Sequence, residues 1–228
     1  MASGTAVKTR QAQRVVLLAC AGAVTLAAWL WLLGRPAHHH ASRWRSFASL
    51  VAMWQAMMVA MMTPAVLDWL FTFAALAKRA WSAAWFASGY FVVWLGYSIL
   101  AALLQTAIGH DRLPARAGGA VLVATGLLYF TPFQRACLTH CRNPVTYFLA
   151  RWHNGPRSGF GFGLTHGAYC VGCCWMLMLT GFAVGVMNIL WMALLTLLIC
   201  VEKLAPHGDR IGAVAAVAMT LWGVALLF

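Results

Sequence analysis

The sequence predicts an all-α protein, a polytopic bundle of transmembrane helices, and two observations carry this prediction. Of the 228 residues, 63% are hydrophobic and only 9% are charged, whereas a soluble domain carries about 25% charged residues. The apolar residues also fall into runs that are long enough to cross a bilayer as helices. Because a soluble core of this length could not bury so much apolar surface, we expect a single integral membrane domain over residues 1–228.

The apolar runs predict about seven spans. The fifth and sixth spans are separated only by residues 185–188, and the count falls to six if this segment is not a turn. The one long polar segment, residues 134–158, is expected to be a basic cytoplasmic loop. The predicted spans lie near residues 15–33, 46–70, 81–108, 117–133, 159–184, 187–201 and 211–228.

The basic residues agree with a membrane location. Sixteen Lys and Arg against four Asp and Glu give a net charge of +12, which in a soluble protein would suggest a nucleic-acid partner. Here the basic residues lie between the apolar runs, where topology and anionic headgroups favour them. We therefore expect membrane lipids as partners and no nucleic acid. With seven spans, the side that holds the N-terminus carries most of the Lys and Arg, so the N-terminus is predicted to be cytoplasmic.

A cluster of potential metal ligands lies in the fifth predicted span. His166, Cys170, Cys174 and Met178 are spaced four residues apart, which places them on one face of a helix, and Cys173 lies beside them. Imidazole, thiolate and thioether groups suit a soft metal, Cu(I) above all. Cysteine and methionine are also adaptable core residues, so packing is the alternative. The clustering of three cysteines within five residues favours a metal site.

The second predicted span is unusually rich in methionine. Met53, Met57 and Met61 form one row at helical spacing, and Met58 with Met62 forms a second row beside it. Such thioethers offer weak, exchangeable sites for Cu(I). Flexible filling of a helix interface explains the same pattern equally well.

Two further groups of potential ligands lie outside these spans. Cys137, His140 and Cys141 form a second cluster of metal ligands, with both thiols on one helical face. This set is incomplete by itself, and it needs a further ligand or a low-coordinate metal such as Cu(I). The arginines of the segment could equally lay an amphipathic helix on the headgroups. Three adjacent histidines, residues 38–40, could capture a metal at the membrane surface or be merely solvated.

The depth of the residues in the membrane connects the two intramembrane rows. At about 1.5 Å per residue, the methionines of the second span and the cysteines of the fifth span reach similar depths from opposite sides. A shared intramembrane site is therefore a hypothesis, which requires the two helices to be neighbours. The cysteines lie in apolar runs or in the predicted cytoplasmic segment, so we expect reduced thiols rather than a disulfide framework.

Several residues of the later spans need particular surroundings. Asn188 lies among apolar residues and requires a hydrogen-bond partner. Glu202 is expected at the interface, paired with Lys203 or with another base. Small residues four apart, which let a neighbouring helix come close, are Gly163 with Gly167 and Gly181 with Gly185.

Four segments together resemble the bacterial predicted metal-binding integral membrane protein family, which includes a membrane copper chaperone that serves a tyrosinase. The segments are MMVAMMTP (57–64), TPFQRACLTHCRNP (131–144), GAYCVGCCWMLM (167–178) and GVMNILWM (185–192), followed by Glu202 and Lys203. The resemblance covers nearly the whole chain after the first span. It implies a polytopic, copper-handling protein of the bacterial inner membrane that helps to metallate partner enzymes.

These observations lead to one preferred function and two alternatives. We expect a Cu(I) chaperone or transporter that delivers copper to a receiving enzyme or an accessory metal-binding protein. We predict no catalytic residues, and the oligomeric state is left open. The first alternative is a membrane thiol-disulfide oxidoreductase that uses Cys170 and Cys173. The second is a non-catalytic assembly subunit or haem anchor, although only His166 lies convincingly within a span.

Overall fold

The computed structural model confirms the all-α prediction. It describes residues 2–34, 47–77, 82–109, 113–152, 158–186 and 188–228, with side chains from residue 11 onward, and these ranges contain no β-strand. The histidines at 38–40 lie outside the described residues. The helices are α1 (Ala2–Leu33), α2 (Phe47–Ala77), α3 (Ser82–Ile108), α4 (Ala115–Tyr129), α5 (Pro132–Arg142), α6 (Pro144–Arg151), α7 (Ser158–Leu179), α8 (Gly181–Val184), α9 (Ile189–Leu204) and α10 (Gly208–Leu227).

Five helical segments of the described chain are long and apolar enough to cross a membrane, fewer than the seven spans expected. The bent pair α4 and α5, which meet at 68°, gives a sixth if it counts as one span. Helix α9, expected to be a span, has only 16 residues and does not qualify. The five segments are Gln11–Leu33, Phe47–Ala77, Ser82–Ile108, Ser158–Val184 and Gly208–Leu227.

The segment 134–158, which was expected to be a basic loop, is largely helical where it is described. Thr131 caps α5 by accepting a hydrogen bond from the Gln134 backbone N–H, and Pro132 stands at the first position of that helix, where its missing N–H costs nothing. Pro144 begins α6 in the same way. Each of these two helices buries one side, so α5 packs on α7 and α6 packs on α2 instead of extending into water.

Helix α3 lies between α2 and α7. It runs antiparallel to α2 and parallel to α7, and glycines make the second contact close. A Cβ atom at Gly163 would collide with the Phe86 carbonyl of α3, and one at Gly89 would collide with the Phe160 carbonyl of α7. The expectation of close approach at Gly163 is therefore confirmed.

The second pair of small residues does not serve helix packing. No atom of a neighbouring helix lies within 4 Å of where a Cβ at Gly181 would be, and Gly185 has a φ of +121° and ends α8. The chain therefore turns between α8 and α9. Asn188 has the hydrogen-bond partner that its surroundings require, because its side-chain oxygen accepts the Trp191 backbone N–H at 3.0 Å and caps α9.

Glu202 and Lys203, at the end of α9, are buried within the protein. Their exposed fractions are 2% and 7%. The reason is that α10 folds back over the end of α9: a Cβ at Gly208 would collide with the Glu202 carbonyl, and one at Gly212 would crowd the Glu202 carboxylate. The α9 helix runs antiparallel to α7, which carries Lys203 into the interior beside that helix.

Candidate metal centre

The two cysteine-containing segments come together in one place. The Sγ atoms of Cys141 on α5 and of Cys170 and Cys173 on α7 all lie within 4.8 Å of one another. Cys141 and Cys173 are 3.7 Å apart, and Cys174 Sγ lies 3.4 Å from Cys173 Sγ. All four thiols are free and buried. We call these four residues the cysteine cluster; its first three members could hold a metal ion.

The approach of α5 to α7 is what completes the cluster. Gly172 faces α5, and a Cβ there would come within 2.9 Å of Cys137 Sγ, so the absence of a side chain lets the helices approach. The Gln134 side chain donates a hydrogen bond to the Cys173 carbonyl at 2.5 Å. The Trp69 indole N–H of α2 donates another to the Cys141 carbonyl at 2.7 Å. These bonds hold the thiols of two separate helices at a common level.

A buried ammonium group lies against the cluster. Lys203 Nζ donates a hydrogen bond to Cys170 Sγ at 2.9 Å, and the Tyr90 hydroxyl lies 3.0 Å from the same sulfur. A charged amine inside the protein is unfavourable unless it is paired. The thiolate, which is the form of cysteine that binds metals, is its natural counter-charge here. The site therefore accepts negative charge on sulfur without leaving an unpaired ion.

The remaining members of the second predicted cluster take different places. Cys137 is buried one turn before Cys141 but lies outside the group of three close sulfurs. His140 points to the aromatic side of the site, where its ring stacks on Tyr169 with a centroid distance of 3.8 Å. His166 stacks on Trp69 with a centroid distance of 3.9 Å. In the predicted helical row, Cys170 belongs to the three close sulfurs and Cys174 lies beside them, whereas His166 faces Trp69.

Two ring contacts define how α2 and α7 are aligned. Trp69 stacks on His166, and Trp54 stacks on Phe182 with a centroid distance of 5.3 Å. The first contact joins the end of α2 to the beginning of α7, and the second joins the beginning of α2 to the residues just after α7. The two helices are therefore antiparallel, and the two contacts are separated by nearly the same number of residues on each helix.

This alignment shows which residues of α7 lie at the same level along the bundle as the buried methionines of α2. It places Met61 level with Cys174, and Met58 level with Met178, while Met53 lies farther along, near Phe182. The hypothesis of a shared site required α2 and α7 to be neighbours, but α2 packs mainly on α1, α3 and α9 and reaches α7 through ring contacts. All of these residues belong to one buried core, whose methionines on the described helices α2, α7, α9 and α10 are Met53, Met57, Met58, Met61, Met62, Met178, Met192 and Met219.

Three residues at the centre were not recognised from the sequence as part of it. These residues are Tyr90, Trp69 and Lys203, of which only Lys203 was considered from the sequence, as a possible partner of Glu202. A lysine at the end of an apolar run is the one usable signal, because an ionisable residue in the membrane marks a functional site when it is buried. Its burial, however, depends on the return of α10.

The fold and the centre together indicate a class: a helical protein with several segments apolar enough to cross a membrane and a buried group of thiols that could hold a metal ion. A family model described as PpoB2, copper chaperone, matches residues 51–226. The chain belongs to this family of copper chaperones, which confirms the copper-chaperone class that the sequence motifs had indicated. No curated protein and no solved structure matches the chain.

Proposed function

We propose that this protein is an integral membrane chaperone for Cu(I) and that the cysteine cluster holds the ion. The observation that carries the proposal is the convergence of three buried thiols from two helices within 4.8 Å. Thiolates are preferred ligands of Cu(I), and a low-coordinate ion needs no more than two or three of them. Copper here is cargo, so the function is delivery and not catalysis.

The charge of the site favours a monovalent ion. Two thiolates around Cu(I) carry one net negative charge, and the Lys203 ammonium that contacts Cys170 offsets it. Zinc also binds thiolates, but its structural sites are tetrahedral and take four protein ligands. Cys174 would have to supply the fourth ligand while it stands next to Cys173 in the chain. We therefore assign Cu(I) as the preferred ion.

The methionines of α2 provide an exchange route in this proposal. Met61 and Met62 lie level with the cysteine cluster, and Met57 and Met58 lie one turn farther along the helix, level with Met178. Thioethers are neutral and bind Cu(I) weakly, so an ion passes between them without a large change in charge. The thiolates then form the tighter end of the route.

The destination of the ion is a copper-receiving enzyme or an accessory metal-binding protein. The proposed location is the bacterial inner membrane, since the chain has five or six helical segments that are long and apolar enough to cross a bilayer. A chaperone of this kind needs no nucleotide, since exchange between neighbouring soft ligands moves the ion. Transport of Cu(I) across the bilayer would extend this proposal from holding and delivering the ion to moving it through the membrane.

The test is an anaerobic Cu(I) titration of the detergent-purified protein against a competing Cu(I) chelator. The variant Cys170→Ser/Cys173→Ser/Cys174→Ser should lose more than about 100-fold in affinity, because loss of a metal's outer-shell partner alone costs about 10–100-fold. The matched control is Cys20→Ser/Cys200→Ser, whose cysteines lie outside the cluster and should leave affinity unchanged. Equally weak binding in all three proteins would contradict the proposal, and a redox-dependent gel shift would then favour the thiol oxidoreductase.

A further inference from the structure

Two buried nitrogen atoms beside the cysteine cluster have no hydrogen-bond partner among the described residues: Nε2 of His140 and Nδ1 of His166. The His166 side chain is 1% exposed. Buried polar atoms in proteins are nearly always hydrogen-bonded, so each exception requires an explanation. A neutral imidazole nitrogen without a proton donor is a common metal ligand.

Both imidazoles lie on the same side of one indole ring. The centroid of the Trp69 ring is 3.9 Å from that of His166 and 5.1 Å from that of His140, with interplanar angles of 21° and 28°. The two imidazole centroids are 6.1 Å apart, well below the sum of these two distances. Rings on opposite faces of the indole would be farther apart. The two histidines therefore lie side by side across the Trp69 face.

This separation is suitable for one shared ion. With metal–nitrogen bonds of about 2.0–2.1 Å, an ion lies roughly 3 Å from the centre of each imidazole that binds it. The centroid distance of 6.1 Å therefore fits one ion between the two rings when each imidazole turns one nitrogen toward it. Two-coordinate binding of this kind suits Cu(I). The indole face beneath adds the attraction of an aromatic ring for a cation.

The pair of histidines lies next to the cysteine cluster in both helices. His140 precedes Cys141 on α5, and His166 lies one turn before Cys170 on α7, about 6 Å along the axis. Trp69 joins the two places, because its ring stacks on both imidazoles while its N–H binds the Cys141 carbonyl. His140 is only half-buried, whereas the thiols are fully buried. The pair of histidines therefore reaches the protein surface through His140, while His166 is as buried as the thiols.

We propose that His140 and His166 form a second, weaker Cu(I) site through which the ion passes between the surface and the cysteine cluster. The inference rests on the proposed function, since it gives the cysteine cluster a connection to the receiving partner. An ion bound by the two imidazoles exchanges them for the thiolates one turn away and keeps its oxidation state. The methionines of α2 approach the cluster from the other direction along the bundle, so the two routes are separate.

The stoichiometry of Cu(I) binding tests this site. Detergent-purified wild-type protein, titrated anaerobically with Cu(I) against chelators of graded affinity, should bind a tight first equivalent and a weaker second one. His140→Phe and His166→Phe, which keep an aromatic ring against Trp69, should each lose the second equivalent and retain the first. The matched control is His207→Phe, an exposed histidine at the start of α10, which should retain both. Release of the first equivalent to an excess of chelator should slow at least several-fold in the two variants.

X-ray absorption at the copper edge gives a second readout that needs no variant. The wild-type protein with one equivalent should show sulfur ligands, and a second equivalent should add nitrogen ligands. A second equivalent that is absent, or that brings only sulfur, overturns the histidine site while the cysteine site stands. Loss of the first equivalent in either histidine variant also overturns it, because the imidazoles would then belong to the cysteine site. Failure of the proposed function differs from both, since the wild-type protein would then lack the tight first equivalent.

Discussion

The cysteine cluster and the methionine rows of α2 are both buried and both rich in sulfur, but their surroundings differ. The cluster combines thiols of α5 and α7, and Cys170 has the Lys203 ammonium and the Tyr90 hydroxyl at hydrogen-bond distance. The methionines all come from one helix and lie within the apolar core. The cysteine cluster therefore has a positive charge beside its sulfur atoms, whereas the methionines of α2 have only apolar surroundings.

The difference follows from the chemistry of the two side chains. A thiolate is charged, so a buried thiolate site requires a counter-charge or hydrogen-bond donors close to the sulfur. A thioether is neutral and fits into an apolar core without any such partner. A metal chaperone needs a site that retains its cargo and a route from which the cargo can exchange. The two regions are suited to these two tasks.

The largest expected effect is on Cys141, which joins the cluster from a second helix. Cys141→Ser should weaken Cu(I) binding by more than about 100-fold, because it removes a ligand and not merely a neighbour of one. The measurement is chelator competition under anaerobic conditions. Cys137→Ser is the matched control, since Cys137 is buried one turn earlier on the same helix but outside the three close sulfurs. An equal loss of Cu(I) affinity in both variants would mean that the cysteines of α5 support the fold and that Cys141 is not a ligand.

A smaller effect is expected at Lys203, which touches the cluster without being a ligand. Lys203→Met keeps the length of the side chain but removes the charge that offsets the thiolates. Cu(I) affinity should fall by about 10–100-fold, the range for partners that contact a metal's ligands. Unchanged affinity would show that the cluster needs no counter-charge, and the contrast with the methionines would then lose its physical basis. Lys203→Arg, which keeps the charge, should recover part of the loss.

The smallest equilibrium effect is expected in α2. Met61→Leu/Met62→Leu should change the affinity for Cu(I) by less than about 3-fold, and the free energy of unfolding by less than about 1.5 kcal/mol for each substitution, because Leu and Met have similar volumes. The rate at which copper loads the cluster should nevertheless fall several-fold, as followed by stopped-flow mixing. Met219→Leu, a buried methionine of α10, should leave that rate unchanged. Equal loading rates in wild type and the α2 variant would make the methionines packing residues only.

Local patterns were sufficient to predict much of this protein. The helical spacing of Cys170 and Cys174 and the run of methionines follow from the 3.6-residue period, and both are present on α7 and α2. The turn before α9 was readable from Gly185 and Asn188. The motifs also indicated the copper-chaperone class. These features depend on residues close together in the chain, where geometry follows from the sequence directly.

The structure of segment 134–158 could not be predicted from the adjacent residues alone. Its arginines and modest hydropathy indicated a loop, yet α5 and α6 bury one side each. Whether such a segment packs depends on the 68° bend after α4 and on the space that Gly172 leaves on α7. Similarly, the burial of Glu202 and Lys203 was not predicted, because nothing in the adjacent sequence shows that α10 folds back over them.

The sequence by itself determined the helical architecture, the soft character of the ligands and the copper-chaperone family. Only the tertiary structure decided which candidate ligands meet: Cys141 joins Cys170 and Cys173, and His140 comes to lie beside His166. The reason is that the spacing of side chains along one helix is set by its own period, whereas contacts between helices depend on crossing positions. Those positions are set by glycines and bends distributed over several helices, and no single segment contains them.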